Sequence, residues 1–86
     1  MTNIEIIREA TTTLKSAGYR IRQDWFGGEG GGRCVVRGQK QIFLDLAQTP
    51  QDQLEMLLAT IREDEDIDPA SLSPALQAAL VKSELD

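Results

Sequence analysis

The chain has 86 residues, a formal net charge of −5, one cysteine and no histidine. That length makes one domain with a small core, and the composition excludes an intramolecular disulfide, an imidazole-based zinc site and any histidine-dependent catalytic triad or acid–base pair. No apolar run approaches the roughly 20 residues that cross a bilayer, and a lone cysteine without a signal-peptide pattern points to a reducing compartment, so a cytoplasmic protein is expected.

The charge is polarised along the chain. Residues 1–18 balance, residues 19–41 carry a net +3, and residues 42–86 carry a net −8. The acidic total argues against non-specific nucleic-acid binding. The basic island keeps a specific anionic partner in play.

Thr2-Asn3-Ile4-Glu5 reads as a capping box that opens a helix over residues 3–17. Ile4, Ile7, Thr11 and Leu14 fall at helical spacing, with Ala10 and Ala17 beside them. Gly18 follows as the residue that can take a left-handed conformation after the last turn. Residues 19–25 then alternate. Tyr19, Ile21 and Trp25 share one parity, while Arg20, Arg22 and Asp24 share the other, the pattern of a half-buried strand.

The stretch 26–33, Phe-Gly-Gly-Glu-Gly-Gly-Gly-Arg, holds five of the seven glycines. Read as a hairpin loop, it links the first strand to a second at residues 34–37. Gly38-Gln39-Lys40 turns the chain into a third strand at residues 41–46, with Ile42, Leu44 and Leu46 on one face. Three strands with short links predict an antiparallel meander. Thr49-Pro50 then caps a second helix, along which Leu54, Leu57, Leu58 and Ile61 form an amphipathic stripe. Ser73-Pro74 repeats that start before a short last helix, with Leu72, Leu76, Ala79 and Leu80 on one side and fraying from Ser83.

The expected fold is therefore α+β, in the order α-β-β-β-α-α: a two-layer sandwich of a three-stranded antiparallel meander with helices on one face. One domain spans residues 1–86, with residues 66–86 forming an acidic linker plus the short C-terminal helix.

Two features carry candidate chemistry. In the glycine loop, successive backbone N–H groups free of side chains can form an anion nest. Gly28, Glu29, Gly30 and Gly31, with Arg33 and Arg37, are the candidate ligand-binding residues for a phosphate or carboxylate. The loop lacks the Gly-Lys-Ser/Thr of a P-loop, and Arg33 stands where a dinucleotide fingerprint counted from Gly28 needs its third glycine. The bland reading, which the weakness of a lone glycine motif favours, is a mobile or sharply bent connection with backbone passing close by.

The second feature is the sheet face turned away from the helices. The parities place Arg20, Arg22, Asp24, Arg33, Val35, Arg37, Gln41, Phe43 and Asp45 there. Arg20, Arg22, Val35 and Phe43 are the candidate protein-interface residues, because arginine and aromatics are enriched at interface cores. The bland alternative is a solvated face with cross-strand Arg–Asp pairs. A single aromatic is too few for an RNA-stacking sheet.

The same parities place Cys34 and Trp25 in the core, where a buried cysteine acts as a small hydrophobe. The acidic run at residues 63–68 lacks the EF-hand spacing and reads as a solvated charge run. No catalytic constellation, metal site or cofactor is expected. The expected function is a small non-enzymatic binding module that self-associates or docks on a protein; recognition of a small anion is the alternative.

Overall fold

The computed structural model describes residues 2–28 and 31–85. Its elements are α1 (Asn3–Ser16), β1 (Arg20–Asp24), β2 (Gly32–Val36), β3 (Gln39–Asp45), α2 (Pro50–Glu63), one 3-10 turn (Pro69–Ser71) and α3 (Pro74–Leu85).

Local signals set the helix ends. Thr2 Oγ1 accepts from the Glu5 N–H at 3.2 Å and the Glu5 carboxylate accepts from the Thr2 N–H at 3.1 Å, closing the capping box. Thr49 Oγ1 accepts from the Asp52 N–H at 3.1 Å, with Pro50 in the first turn. Ser73 Oγ accepts from the Leu76 N–H at 3.1 Å and donates to Glu9 at 2.9 Å, so it caps α3 and ties it to α1. Gly18 takes φ +97°, which releases the chain from α1 into β1.

The sheet is mixed, and here the meander expectation is overturned. The strand order is β1-β3-β2: β3 lies in the middle, parallel to β1 and antiparallel to β2. The chain leaves β1, crosses over the end of β3, descends as β2 and returns through a tight turn into the centre. That turn is Arg37-Gly38, with φ +53° and +80°, rather than residues 38–40. Two positive φ values in a two-residue loop are the type I′ geometry, whose twist matches the strands it joins. The glycine-rich stretch is thus no hairpin loop. β3 is the most apolar strand, and burial rewards placing it where both neighbours shield it.

The core joins Ile6, Ala10 and Leu14 of α1, Ile42 and Leu44 of β3, and Leu54, Leu57, Leu58 and Ile61 of α2. Ile67, Leu72 and Leu76 complete it, so the segment after α2 packs on the domain. The α1 stripe is shifted from its expected phase: Ile6 is buried and Ile4 is exposed. A helix with four isoleucine or leucine residues and four threonine or alanine residues supports two overlapping stripes, and packing against α2 selects one. α3 packs on α1 and α2 of its own chain. Arg62 of α2 donates to Glu84 at 3.0 Å and to the Leu80 carbonyl at 3.1 Å, holding the helix ends together.

Candidate functional site

Ladder register decides which side chains share a face. Ile21, Ile42 and Arg33 line up across the sheet, as do Tyr19's parity, Lys40 and Val35. Because Ile42 and Leu44 face the helices, Arg33 and Val35 share that side. The opposite face carries Arg20, Gln41 and Cys34 in one row and Arg22, Phe43 and Gly32 in the next, with Val36 beyond. Two expectations are therefore corrected. Arg33 and Val35 exchange faces with Cys34 and Val36, and Cys34 is exposed. β2 projects beyond the helix layer, so burial on neither face marks its parity in the sequence.

The uncovered face has an aromatic centre. Gly32 lies opposite Phe43 and leaves it no side-chain neighbour from β2. Phe26, brought over by the glycine-rich crossing, meets Phe43 edge to face, with ring centroids 6.1 Å apart at 87°. On the β1 side, the Arg22 guanidinium lies 6.0 Å from the Phe43 centroid. Each such contact stabilises by about 0.5–1.5 kcal/mol at most, enough to orient the group. Trp25, expected in the core, is 70% exposed beside Phe26. β1 ends at Asp24, so the alternation that would bury Trp25 has stopped.

Asp45 holds this arrangement from below. Expected on the open face, it is instead only 1% exposed at the end of β3. Its Oδ1 accepts from the Phe26 N–H at 3.0 Å and from the Ala47 N–H at 2.9 Å. The ladder is extended alongside by the Leu46 N–H, which donates to the Asp24 carbonyl at 2.9 Å. The glycines have matching structural duties. Gly27 and Gly28 take φ +77° and +80°. At Gly31 a Cβ would lie 1.6 Å from the Phe43 carbonyl oxygen, so only glycine admits this approach of backbone to backbone.

A second cluster sits on the helix side of the sheet. The Tyr19 hydroxyl donates to Asp64 Oδ2 at 2.7 Å, and Lys40 Nζ donates to the same oxygen at 3.3 Å while lying 5.1 Å from the Tyr19 ring centroid. Lys40 also pairs with Asp66 at 3.8 Å, and Arg33 pairs with Glu63. The basic island and the acidic run thus close on each other. The Tyr19 hydrogen bond, with the Asp66 N–H and Lys40 behind it, holds the Asp64 carboxyl below its ordinary value of 3.8. Burial, then the Asp64 carboxylate, pushes the Tyr19 hydroxyl up to about 12.

The candidate anion residues do not converge. Arg33 turns to α2, and Arg37 sits in the turn at the other end of β2, about 13 Å of strand away. Glu29 and Gly30 lie outside the described residues. Among the interface candidates, Arg20, Arg22 and Phe43 do share the uncovered face. Reading the sequence missed Phe26 as a member of this surface and Asp45 as its support. A buried acid at the end of an apolar strand, facing a glycine run, is the signal that was available. Among the described residues no group of three metal-ligating side chains gathers, and no helix is long and apolar enough to cross a membrane. No family model, curated protein or solved structure matches this chain.

Proposed function

We propose that the chain is a non-enzymatic, cytosolic binding module that docks a protein on its uncovered sheet face. One observation carries the reading. Phe26 and Phe43 meet at one end of that face, Trp25 is exposed next to Phe26 in the chain, and none of the three belongs to the core. Arginine and aromatic side chains together are the composition of interface centres. Arg20 and Arg22 stand beside them, and Asp24 is the sole exposed acid of β1. A partner segment with an apolar group for the Phe26–Phe43 edge and carboxylates for the two arginines fits this surface.

The anion reading has two observations against it. The Phe26 and Ala47 N–H groups at the loop mouth already donate to an internal carboxylate, and Arg33 is engaged by Glu63. Phosphate-type ligands should therefore leave the unfolding temperature unchanged. A ligand at a hundredfold excess over Kd would add about 2.7 kcal/mol, and such a shift, lost in Arg33→Ala, would restore the alternative.

The test of the docking reading is affinity capture from host lysate with wild type and an Arg22→Glu/Phe43→Ser variant. The expected result is a protein recovered by wild type and lost by the variant, with the unfolding temperature of the two within a few degrees. The same proteins bound by both forms would overturn it.

A further inference from the structure

The two edges of the sheet are not alike. On β1, arginines at 20 and 22 and an aspartate at 24 place a charge at every second position, the usual guard against strand addition. On β2, the run Gly32-Arg33-Cys34-Val35-Val36 carries one charge, no proline and no lysine. Helices do not cover it: Val35 is 67% exposed on one face and Val36 is 46% exposed on the other.

The turn geometry says which backbone groups are free. In a two-residue type I′ hairpin the flanking residues, Val36 and Gln39, form the hydrogen-bonded closing pair. Alternation then makes Cys34–Gln41 and Gly32–Phe43 the other hydrogen-bonded pairs. The N–H and C=O groups of Arg33 and Val35 consequently point outward along the free edge.

We propose that β2 pairs antiparallel with β2 of a second copy of this chain, about a two-fold axis at Cys34, joining two sheets into one of six strands. Charge selects this register. Centred on Cys34, each Arg33 lies opposite the other copy's Val35, and each Gly32 opposite its Val36. Centred on Arg33, two arginines would oppose each other, and centred on Val35, Arg33 would meet Arg37; like charges directly opposite destabilise a pair. The Cys34 register also pairs outward-pointing groups with outward-pointing groups, so Arg33 and Val35 of both copies exchange hydrogen bonds. The acids nearest the seam are already matched within each copy, Glu63 by Arg33 and Asp64 and Asp66 by Lys40, which leaves Glu65. The two Cys34 residues form a non-hydrogen-bonded pair, with Cα atoms about 4.5 Å apart, inside the span a disulfide bridges. This pairing does not depend on the partner proposed for the uncovered face, and it makes that face continuous across both copies.

The test is sedimentation of the full chain under reducing conditions across a concentration series, paired with diamide oxidation and non-reducing electrophoresis. Wild type should populate a dimer as concentration rises and give a Cys34-linked dimer on oxidation. Val35→Lys puts a lysine opposite each Arg33 of the other copy and should weaken dimerisation about tenfold, with a matching loss of cross-link although Cys34 stays exposed. Cys34→Ser/Val36→Cys should still dimerise but not cross-link, because the two residues at 36 lie about 13 Å apart in this register. A monomer at every concentration, a dimer indifferent to Val35→Lys, or cross-linking through position 36 in place of 34 would each overturn the proposal.

Discussion

Gly31 and Gly32 are neighbours, yet the structure predicts opposite effects of alanine. An alanine Cβ at 31 would lie 1.6 Å from the Phe43 carbonyl oxygen and 2.7 Å from its carbon, where ordinary contact begins at 3.4 Å. Both are backbone atoms, so no side chain can swing aside. The strands must part by roughly 1.8 Å, the difference between those two distances, which breaks the Gly32–Phe43 rung. Its two hydrogen bonds contribute about 0.5–1.5 kcal/mol each. The Phe26–Phe43 edge contributes about as much again, so Gly31→Ala should cost about 2–4 kcal/mol. At Gly32 no atom lies within 4 Å of the added methyl and φ is not positive. Alanine there reduces the freedom of the unfolded chain and should be neutral or stabilising, by up to about 1 kcal/mol. An 86-residue domain has a total stability on the order of 4–13 kcal/mol, so the difference is a large fraction of the whole. Urea unfolding followed by far-UV circular dichroism reads it directly. With a slope near 1 kcal/mol/M, the Gly31→Ala midpoint falls by at least about 2 M and the Gly32→Ala midpoint stays or rises. Equal midpoints for the two variants would refute the close approach of the crossing to β3.

Asp45→Ala removes the acceptor of two part-buried N–H groups and should destabilise by about 1–3 kcal/mol; a loss well under 1 kcal/mol in urea unfolding would mean the carboxylate does not hold the crossing. Asp64, whose carboxyl is held low in the fold, contributes stability that is complete above its ordinary value of 3.8 and is lost as pH falls through the folded value. Asp64→Asn should therefore flatten the acid limb of the stability profile, and an unchanged limb would count against the Tyr19–Asp64 hydrogen bond. Tyr19, raised to about 12, contributes stability present below 10.0 and lost as pH rises from there to about 12; Tyr19→Phe should remove that alkaline decline, which thermal unfolding between pH 9 and 12 would show. Trp25→Ser, at an exposed position, should change the unfolding free energy by no more than about 0.5 kcal/mol, and a loss near 3 kcal/mol would place the indole in a core after all.

What could be read locally was read from spacings of three or four residues. The Thr2–Glu5 box, the Thr49-Pro50 start and the Leu54–Ile61 stripe all depend on groups within one or two turns, and their partners are the same in any fold. The same holds for the serine cap at 73. The errors lie where two equal local patterns compete. In α1 two apolar stripes overlap, and only packing against α2 and α3 buries Ile6 and leaves Ile4 wet. In β2 neither parity is clearly apolar, because the strand projects beyond the helices.

By itself, then, the sequence determined the number and kind of elements, the helix ends, the α2 core stripe and the exclusion of histidine chemistry. Tertiary structure alone decided the strand order, and with it the site. Strand order is a choice among non-local hydrogen-bonded pairings that cost and return nearly the same per rung, so it leaves no trace in residue spacing. The choice rests on burying β3 between two neighbours, and on glycines at 27, 28 and 31 whose backbone β-branched or bulky residues could not take. The crossing carries Phe26 to Phe43, sets Asp45 beneath both, and leaves β2 as the unguarded edge.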